Sequence, residues 1–165
     1  MSIDKSIKVT IDGEELFVKG GFYEVEDWMG EPKRLLGLYL VDKNGEEYGD
    51  LSKSFGEFVG QYGCFFADAN SVGYDAGKVL QDNLIAFPSA GFKQSGFVKY
   101  PSFRISPYAM ETLFTLEEIA AYKLDFDFYG EATEEQRTSC EWVKESLANE
   151  KKSFDEFLAN LQGRS

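Results

Sequence analysis

Apolar and polar residues alternate with a period of two through much of the first 108 positions, the pattern of half-buried β-strands. Ile7, Val9 and Ile11 are separated by Lys8 and Thr10, and Asp12-Gly13 follows as a hairpin turn. Residues 16–19 form the expected return strand, Gly20-Gly21 breaks it, and 22–25 begins another. Residues 26–33 hold Gly30 and Pro32 and read as a loop. The dense apolar run 35–41 predicts a central strand. Asp42-Lys43-Asn44-Gly45 then turns the chain, because Asn-Gly supplies the positive φ angles of a tight hairpin, and 47–51 pairs back. A short strand is expected at 62–67. Val79, Leu80 and Leu84 fall at helical spacing and predict a helix over 74–84. Residues 88–96 read as a glycine-punctuated loop. Residues 97–105 alternate again, with Pro101 indicating an edge strand.

The last third changes period. Thr115 is a helix N-cap, and Glu117 and Glu118 occupy a first turn where carboxylates suit the helix dipole, so 115–122 is expected to be helical. Leu124, Phe126 and Phe128 alternate with Asp125 and Asp127, predicting a strand with one acidic face. Thr133 and Gln136 make a capping box that opens a long helix. Along it Cys140, Leu147, Phe154 and Leu161 recur every seven residues, joined by Val143 and Phe157 and interrupted by Glu150. This stripe predicts packing on the sheet, with a helix-to-helix dimer contact as the alternative. The expected architecture is one α+β domain over 1–165. It comprises an antiparallel, aromatic-rich sheet packed by a long C-terminal helix and one or two short helices.

Composition changes this picture in one direction. The 165 residues include 29 acids, 17 bases and no histidine, for a net charge of −12. Like charge disfavours nucleic acid and anionic membrane as direct partners and favours a basic protein surface. Lack of histidine removes the commonest general base and metal ligand. Acidity that serves only solubility is the bland alternative. Residues 1–108 carry 16 acids and 11 bases, whereas 109–165 carry 13 and 6, so the acidic surface is expected in the C-terminal third. Cys64 and Cys140 stand far apart, which argues against a disulfide framework and a thiolate zinc site. No signal peptide is read at residues 1–10, and no apolar run approaches the roughly 20 residues of a membrane helix, so a cytoplasmic protein is expected.

Candidate chemistry is sparse. Asp68-Ala69-Asn70 with Gly73 resembles the start of a calcium loop, but Val79 stands where the loop needs a carboxylate, so Asp68 and Asn70 are read as turn formers. Ser95 lacks a nucleophile elbow, no phosphate-binding glycine loop is present, and no carboxylate pair stands out among 29. No catalytic residue, metal or cofactor is therefore assigned. Residues 87–108 contain no acid and interleave Lys93, Lys99 and Arg104 with aromatics, of which Phe92, Phe97, Tyr100 and Phe103 are candidate anchors for a protein partner. The candidate acidic surface comprises Asp125, Asp127, Glu131, Glu134, Glu135, Glu141, Glu145 and Glu156. Such a row could present charge at intervals like those of a phosphate backbone, or could be an ordinary solvated helix face.

Residues 36–51 (LGLYLVDKNGEEYGDL), Cys64-Phe65-Phe66-Ala67-Asp68-Ala69-Asn70, Leu80-Gln81-Asp82-Asn83-Leu84 and the run from Ser95 to Arg104 follow one another in an order that resembles domain of unknown function 4313. That family comprises small proteins of bacterial conjugative elements and phages. The resemblance covers residues 7–108 and leaves 109–165 as an acidic elaboration; between Leu51 and Cys64 the chain departs from the family's proline-containing form. It implies a mobile-element accessory protein and supplies no active site. Combined with the charge, the expected function is non-catalytic inhibition of a host nucleic-acid-targeting complex, of the anti-CRISPR or anti-restriction kind, by occupying its basic surface. A structural or regulatory accessory module is the alternative, and an enzyme using paired carboxylates is a third.

Overall fold

The strands form two sheets rather than one. The structure is a computed structural model describing residues 5–163. Strands β1 (Ile7–Ile11), β2 (Glu14–Glu26), β3 (Pro32–Val41) and β4 (Glu47–Asp50) follow one another in an antiparallel meander. Strands β5 (Ser52–Lys53), β6 (Cys64–Ala67), β7 (Ala86–Ser95) and β8 (Val98–Ile105) make the second antiparallel sheet, in the spatial order β5-β6-β8-β7. The helices are α1 (Ala76–Asp82), α2 (Pro107–Leu113), α3 (Leu116–Leu124), α4 (Glu134–Thr138) and α5 (Trp142–Gln162). The α+β class, the antiparallel aromatic-rich strands and the long C-terminal helix are those expected from the sequence.

The sheets are tied where β4 passes into β5. Leu51 is fully buried, donates its N–H to Leu38 O at 3.0 Å and accepts the Asp68 N–H at 3.0 Å. Ser52 Oγ accepts the Leu38 N–H at 2.9 Å and donates to Leu38 O at 3.3 Å. Leu16, Val18, Leu36, Leu38 and Leu40 from the first sheet then share one apolar cluster with Phe65, Phe103 and Ile105 from the second. Each such side chain stabilises the fold by about 1.5–3 kcal/mol relative to exposure, before ordering costs are counted.

Local turn chemistry formed the first sheet as expected. Ile11 pairs with Glu14, and Asp12 and Gly13 have φ of 50° and 81°, both positive as a two-residue hairpin requires. Gly20-Gly21, however, does not break β2. The missing side chain at Gly20 admits the Phe114 ring, whose Cζ would lie 2.5 Å from a Cβ there. The expected loop at 88–96 is mostly strand β7, with the register shift between Pro88 and Phe92 absorbing the proline and glycines. Pro88 thus sits on the edge strand, whereas Pro101 lies on interior strand β8, just beyond Ser102, where pairing with β6 ends.

The C-terminal third departs further. Residues 107–113 form α2, capped by Ser106 and started by Pro107. The expected strand at 124–128 is absent, because α3 runs to Leu124 and a turn follows. The Thr133–Gln136 capping box is present but opens only α4. Ser139 is extended, and Trp142 Nε1 donates to Ser139 O at 2.8 Å across the break. Cys140 therefore precedes α5 and drops out of the heptad series.

The stripe of α5 packs chiefly on α2 and α3, with Val143 and Leu147 buried, and meets the second sheet where Phe154 lies 5.7 Å from Phe87. Glu150 interrupts the stripe to pair with Lys123 of α3 at 2.9 Å. The dimer alternative loses most of its apolar face to these internal contacts. Lys151 of α5 pairs with Glu111 of α2, and Tyr108 Oη donates to Asp155 at 2.9 Å.

The two central glycines make a matched test. Gly20→Ala drives a Cβ into Phe114, which is itself buried and stacked 4.4 Å from Phe22. It is expected to destabilise by about 1–3 kcal/mol. Gly21→Ala meets nothing within 4 Å and is expected to shift stability by less than about 0.5 kcal/mol. Urea unfolding midpoints of the two variants check the difference.

Candidate functional site

A single short motif recurs three times and forms the most distinctive surface of the molecule. Asp27-Trp28-Met29-Gly30-Glu31, Asp42-Lys43-Asn44-Gly45-Glu46 and Asp127-Phe128-Tyr129-Gly130-Glu131 share the spacing Asp-x-x-Gly-Glu. In each, the glycine takes a positive φ (79°, 82° and 67°) and returns its N–H to the aspartate carbonyl. In each, the aspartate carboxylate accepts the turn's own N–H groups. Asp27 takes those of Met29 and Glu31 at 2.8 and 2.9 Å, and Asp42 those of Asn44 and Glu46 at 2.8 and 3.0 Å. Asp127 takes those of Glu131 and Ala132 at 2.8 and 2.9 Å.

The two positions at the tip distinguish the three turns. Lys43 and Asn44 are the polar choice that an exposed hairpin ordinarily makes. The other two turns carry Trp28 and Met29, 70% and 74% exposed, and Phe128 and Tyr129, 44% and 87% exposed. These twin turns meet, with the Trp28 and Phe128 rings 5.6 Å apart. Phe58, from the loop after β5, backs both at 6.3 Å, and Phe126 stands 5.3 Å behind Phe58. Large apolar side chains are therefore grouped at the surface on Asp-stapled turns, an arrangement that marks interaction sites more than monomer surfaces.

Acids surround the group in sequence: Glu26, Asp27 and Glu31 at one turn, Asp127 and Glu131 at the other, and Glu57 beside Phe58. Lys33 lies nearby, but its ammonium faces Asp27 and Glu31 at 3.9 and 3.8 Å and the Phe128 ring at 5.9 Å. The charge excess is also more local than the C-terminal third. Residues 109–141 hold nine acids and two bases, whereas α5 holds four acids and three bases.

The expected acidic residues separate into different roles. Glu131, Glu134, Glu135, Glu141, Glu145 and Glu156 are exposed. Glu141 is partly neutralised by Lys144 at 2.8 Å. Asp125 is buried and belongs to the fold. Its carboxylate accepts the Arg34 N–H at 2.7 Å and an Arg34 guanidinium N–H at 2.9 Å, fastening the end of α3 to β3. Asp127 is the turn staple. Its two backbone hydrogen bonds, from Ala132 and Glu131, hold its carboxyl below the usual carboxylate range.

The expected aromatic anchors do not form one patch. Tyr100 and Phe103 are buried, Tyr100 against Phe55 at 5.2 Å and Phe103 against Phe65 at 6.4 Å. Both faces of β8 are covered there, which alternation along one strand does not reveal. Phe97 is fully exposed at the β7–β8 turn, and Phe92 is exposed with the Lys99 ammonium 5.0 Å from its ring. Sequence reasoning missed Trp28, Met29, Phe58 and Tyr129. The repeat itself was the available signal, because two of its three copies place large apolar residues where the third places Lys-Asn.

Asp68 accepts the Asn70 N–H at 3.0 Å, as a turn former does. Both cysteines are free. Among the described residues, no three of Cys, Asp and Glu gather as a metal site would need, and no helix is long and apolar enough to cross a membrane. No family model, curated protein or solved structure matches the chain.

Two outcomes follow from the separated aspartates. Asp125→Ala leaves the Arg34 backbone N–H without its carboxylate acceptor and the guanidinium with Ala121 O at 3.3 Å, and is expected to lose about 1–3 kcal/mol in urea unfolding, while Glu131→Gln stays near wild type. Because the Asp127 carboxyl is lowered on folding, its contribution is full above the unfolded value of about 3.9. That contribution is lost as pH falls through the lower folded value. The amide signals of Glu131 and Ala132 are expected to keep their folded positions at pH 4 and move only at more acidic pH, in an NMR titration.

Proposed function

We propose that this is a non-catalytic binding protein whose twin apolar turns dock on a basic, nucleic-acid-binding surface of another protein and keep nucleic acid off it. One observation carries the reading: an Asp-stapled turn built three times, twice with a large apolar tip, the two apolar tips meeting amid carboxylates. Trp and Tyr are the residue types that dominate binding energy at protein interfaces, and acids around them steer a basic partner into register. The net charge of −12 supports a basic partner over nucleic acid itself. The resemblance to mobile-element proteins supports a bacterial cytoplasmic setting and a host defence complex, such as an RNA-guided nuclease or restriction assembly, as the partner. Acidity serving solubility alone gives no reason for Trp28, Met29 and Tyr129 to stand exposed.

The test is capture from bacterial host lysate on immobilised protein, followed by binding and nucleic-acid competition with the purified partner. Capture is expected to weaken with added salt, and the partner to lose its nucleic acid when bound. Trp28→Ala and Tyr129→Ala are each expected to weaken binding by roughly 30-fold or more, the scale of an interface hot spot. Glu131→Lys with Glu134→Lys is expected to slow association. Tyr129 is 87% exposed, so Tyr129→Ala should unfold at the wild-type midpoint, whereas Trp28→Ala also loses its ring contacts to Phe58 and Phe128 and should unfold slightly earlier. Binding that ignores salt and survives both aromatic substitutions would return the protein to the structural-module alternative.

A further inference from the structure

A second site lies in the cleft between α5 and the outward face of the second sheet. The cleft has a volume of about 490 Å³. Arg104 of β8 pairs with Phe87 of β7, so both side chains leave the same face of the sheet. From the opposite wall α5 contributes Phe154 and Phe157, which lie 5.7 and 5.5 Å from Phe87. The three rings touch one another and make a joined apolar surface in the cleft, with one guanidinium at its side.

Among the described residues that guanidinium makes no ion pair, as is also true of Lys43, Lys53 and Lys152. With 29 acids in the sequence, Arg104 still has no carboxylate within 4.0 Å among the described residues. Its stem lies over Gly63, where an added Cβ would sit 3.6 Å from Cγ. Glu150 also lines the cleft, but its carboxylate is already engaged by Lys123 at 2.9 Å and by Ser146 Oγ at 3.2 Å. Tyr62 lines the same cleft, and its hydroxyl is buried with no hydrogen-bond partner. Burial raises the Tyr62 phenol well above its ordinary range, so it stays neutral and able to donate. An unpaired guanidinium and an unused buried donor beside aromatic walls call for an anion with an apolar body.

We infer that this cleft binds a small amphipathic carboxylate, its anionic end taken by Arg104 and Tyr62 and its apolar body lying against Phe87, Phe154 and Phe157.

The test is NMR titration of the full chain with 4-phenylbutyrate and with its neutral counterpart 4-phenyl-1-butanol, and it needs no protein partner. The carboxylate is expected to bind saturably at about 0.1–1 mM, the range set by a ligand of this size, with the shifts centred on Phe87, Arg104 and Phe154. The alcohol, and Arg104→Gln with the carboxylate, are each expected to bind at least about 10-fold more weakly. Tyr62→Phe removes only the hydroxyl and is expected to weaken binding several-fold. Arg104 is exposed, so Arg104→Gln should keep the wild-type unfolding midpoint even where Tyr62→Phe does not. Absence of saturation by about 10 mM, equal affinity for acid and alcohol, no loss in Arg104→Gln, or shifts centred on Trp28 and Phe128 would each overturn the inference.

Discussion

A continuous line of aromatic rings links the core to the surface, and the candidate interface depends on it. Phe114 is buried on Gly20 and stacks 4.4 Å from Phe22. Phe22 meets Tyr122 at 4.7 Å, Tyr122 meets Phe126 at 5.1 Å, and Phe126 leads to Phe58 and Phe128 at 5.3 and 6.2 Å. Trp28 closes the line at 5.6 Å from Phe128. Aromatic pairs at these separations contribute about 0.5–1.5 kcal/mol each beyond their buried area, though coupled contacts do not add simply. The line joins β2, the α2–α3 corner and three separate loops. The Tyr122 hydroxyl also accepts the Gly63 N–H at 3.0 Å, fixing the chain just before β6.

The consequence for function is pre-organisation. An exposed aromatic on a mobile loop must be ordered when a partner arrives, and that ordering costs affinity. Here the backbone of each turn is held by its own aspartate, and Phe58 and Phe126 stand behind the rings. The third copy of the motif, with Lys43 and Asn44 at its tip, acts as an internal control. The turn needs only its aspartate and glycine, so the choice of Trp, Met, Phe and Tyr at the other two tips is not dictated by the turn. In the proposed function, the acids concentrated in 109–141 would supply long-range attraction to a basic surface and the rings would supply contact.

Elements were legible in the sequence where local chemistry and tertiary packing agree. Asp12-Gly13 sets its hairpin by two positive φ angles, whereas at 42–46 only Gly45 is positive and the Asp42 carboxylate completes the turn in place of the expected Asn-Gly pair; Thr115 and Thr133 cap their helices through their own side chains. Other elements depended on distant partners. Gly20 looks like a break until Phe114, far along the chain, is seen to occupy its empty side. Asp125 and Asp127 look like alternating surface acids until Arg34 claims one and the 128–132 backbone claims the other. The long helix was expected to start at Thr133 because its capping box is real. The sequence does not reveal that Ser139 turns extended and hands its carbonyl to Trp142.

The central claim is that the twin turns form a preformed, rigid platform, and backbone NMR relaxation of the free protein tests it most directly. The account predicts order parameters near those of the strands, about 0.85, at residues 28–30 and 128–130. Values below about 0.6 at both turns would contradict it, because the apolar tips would then be mobile loops with no platform behind them.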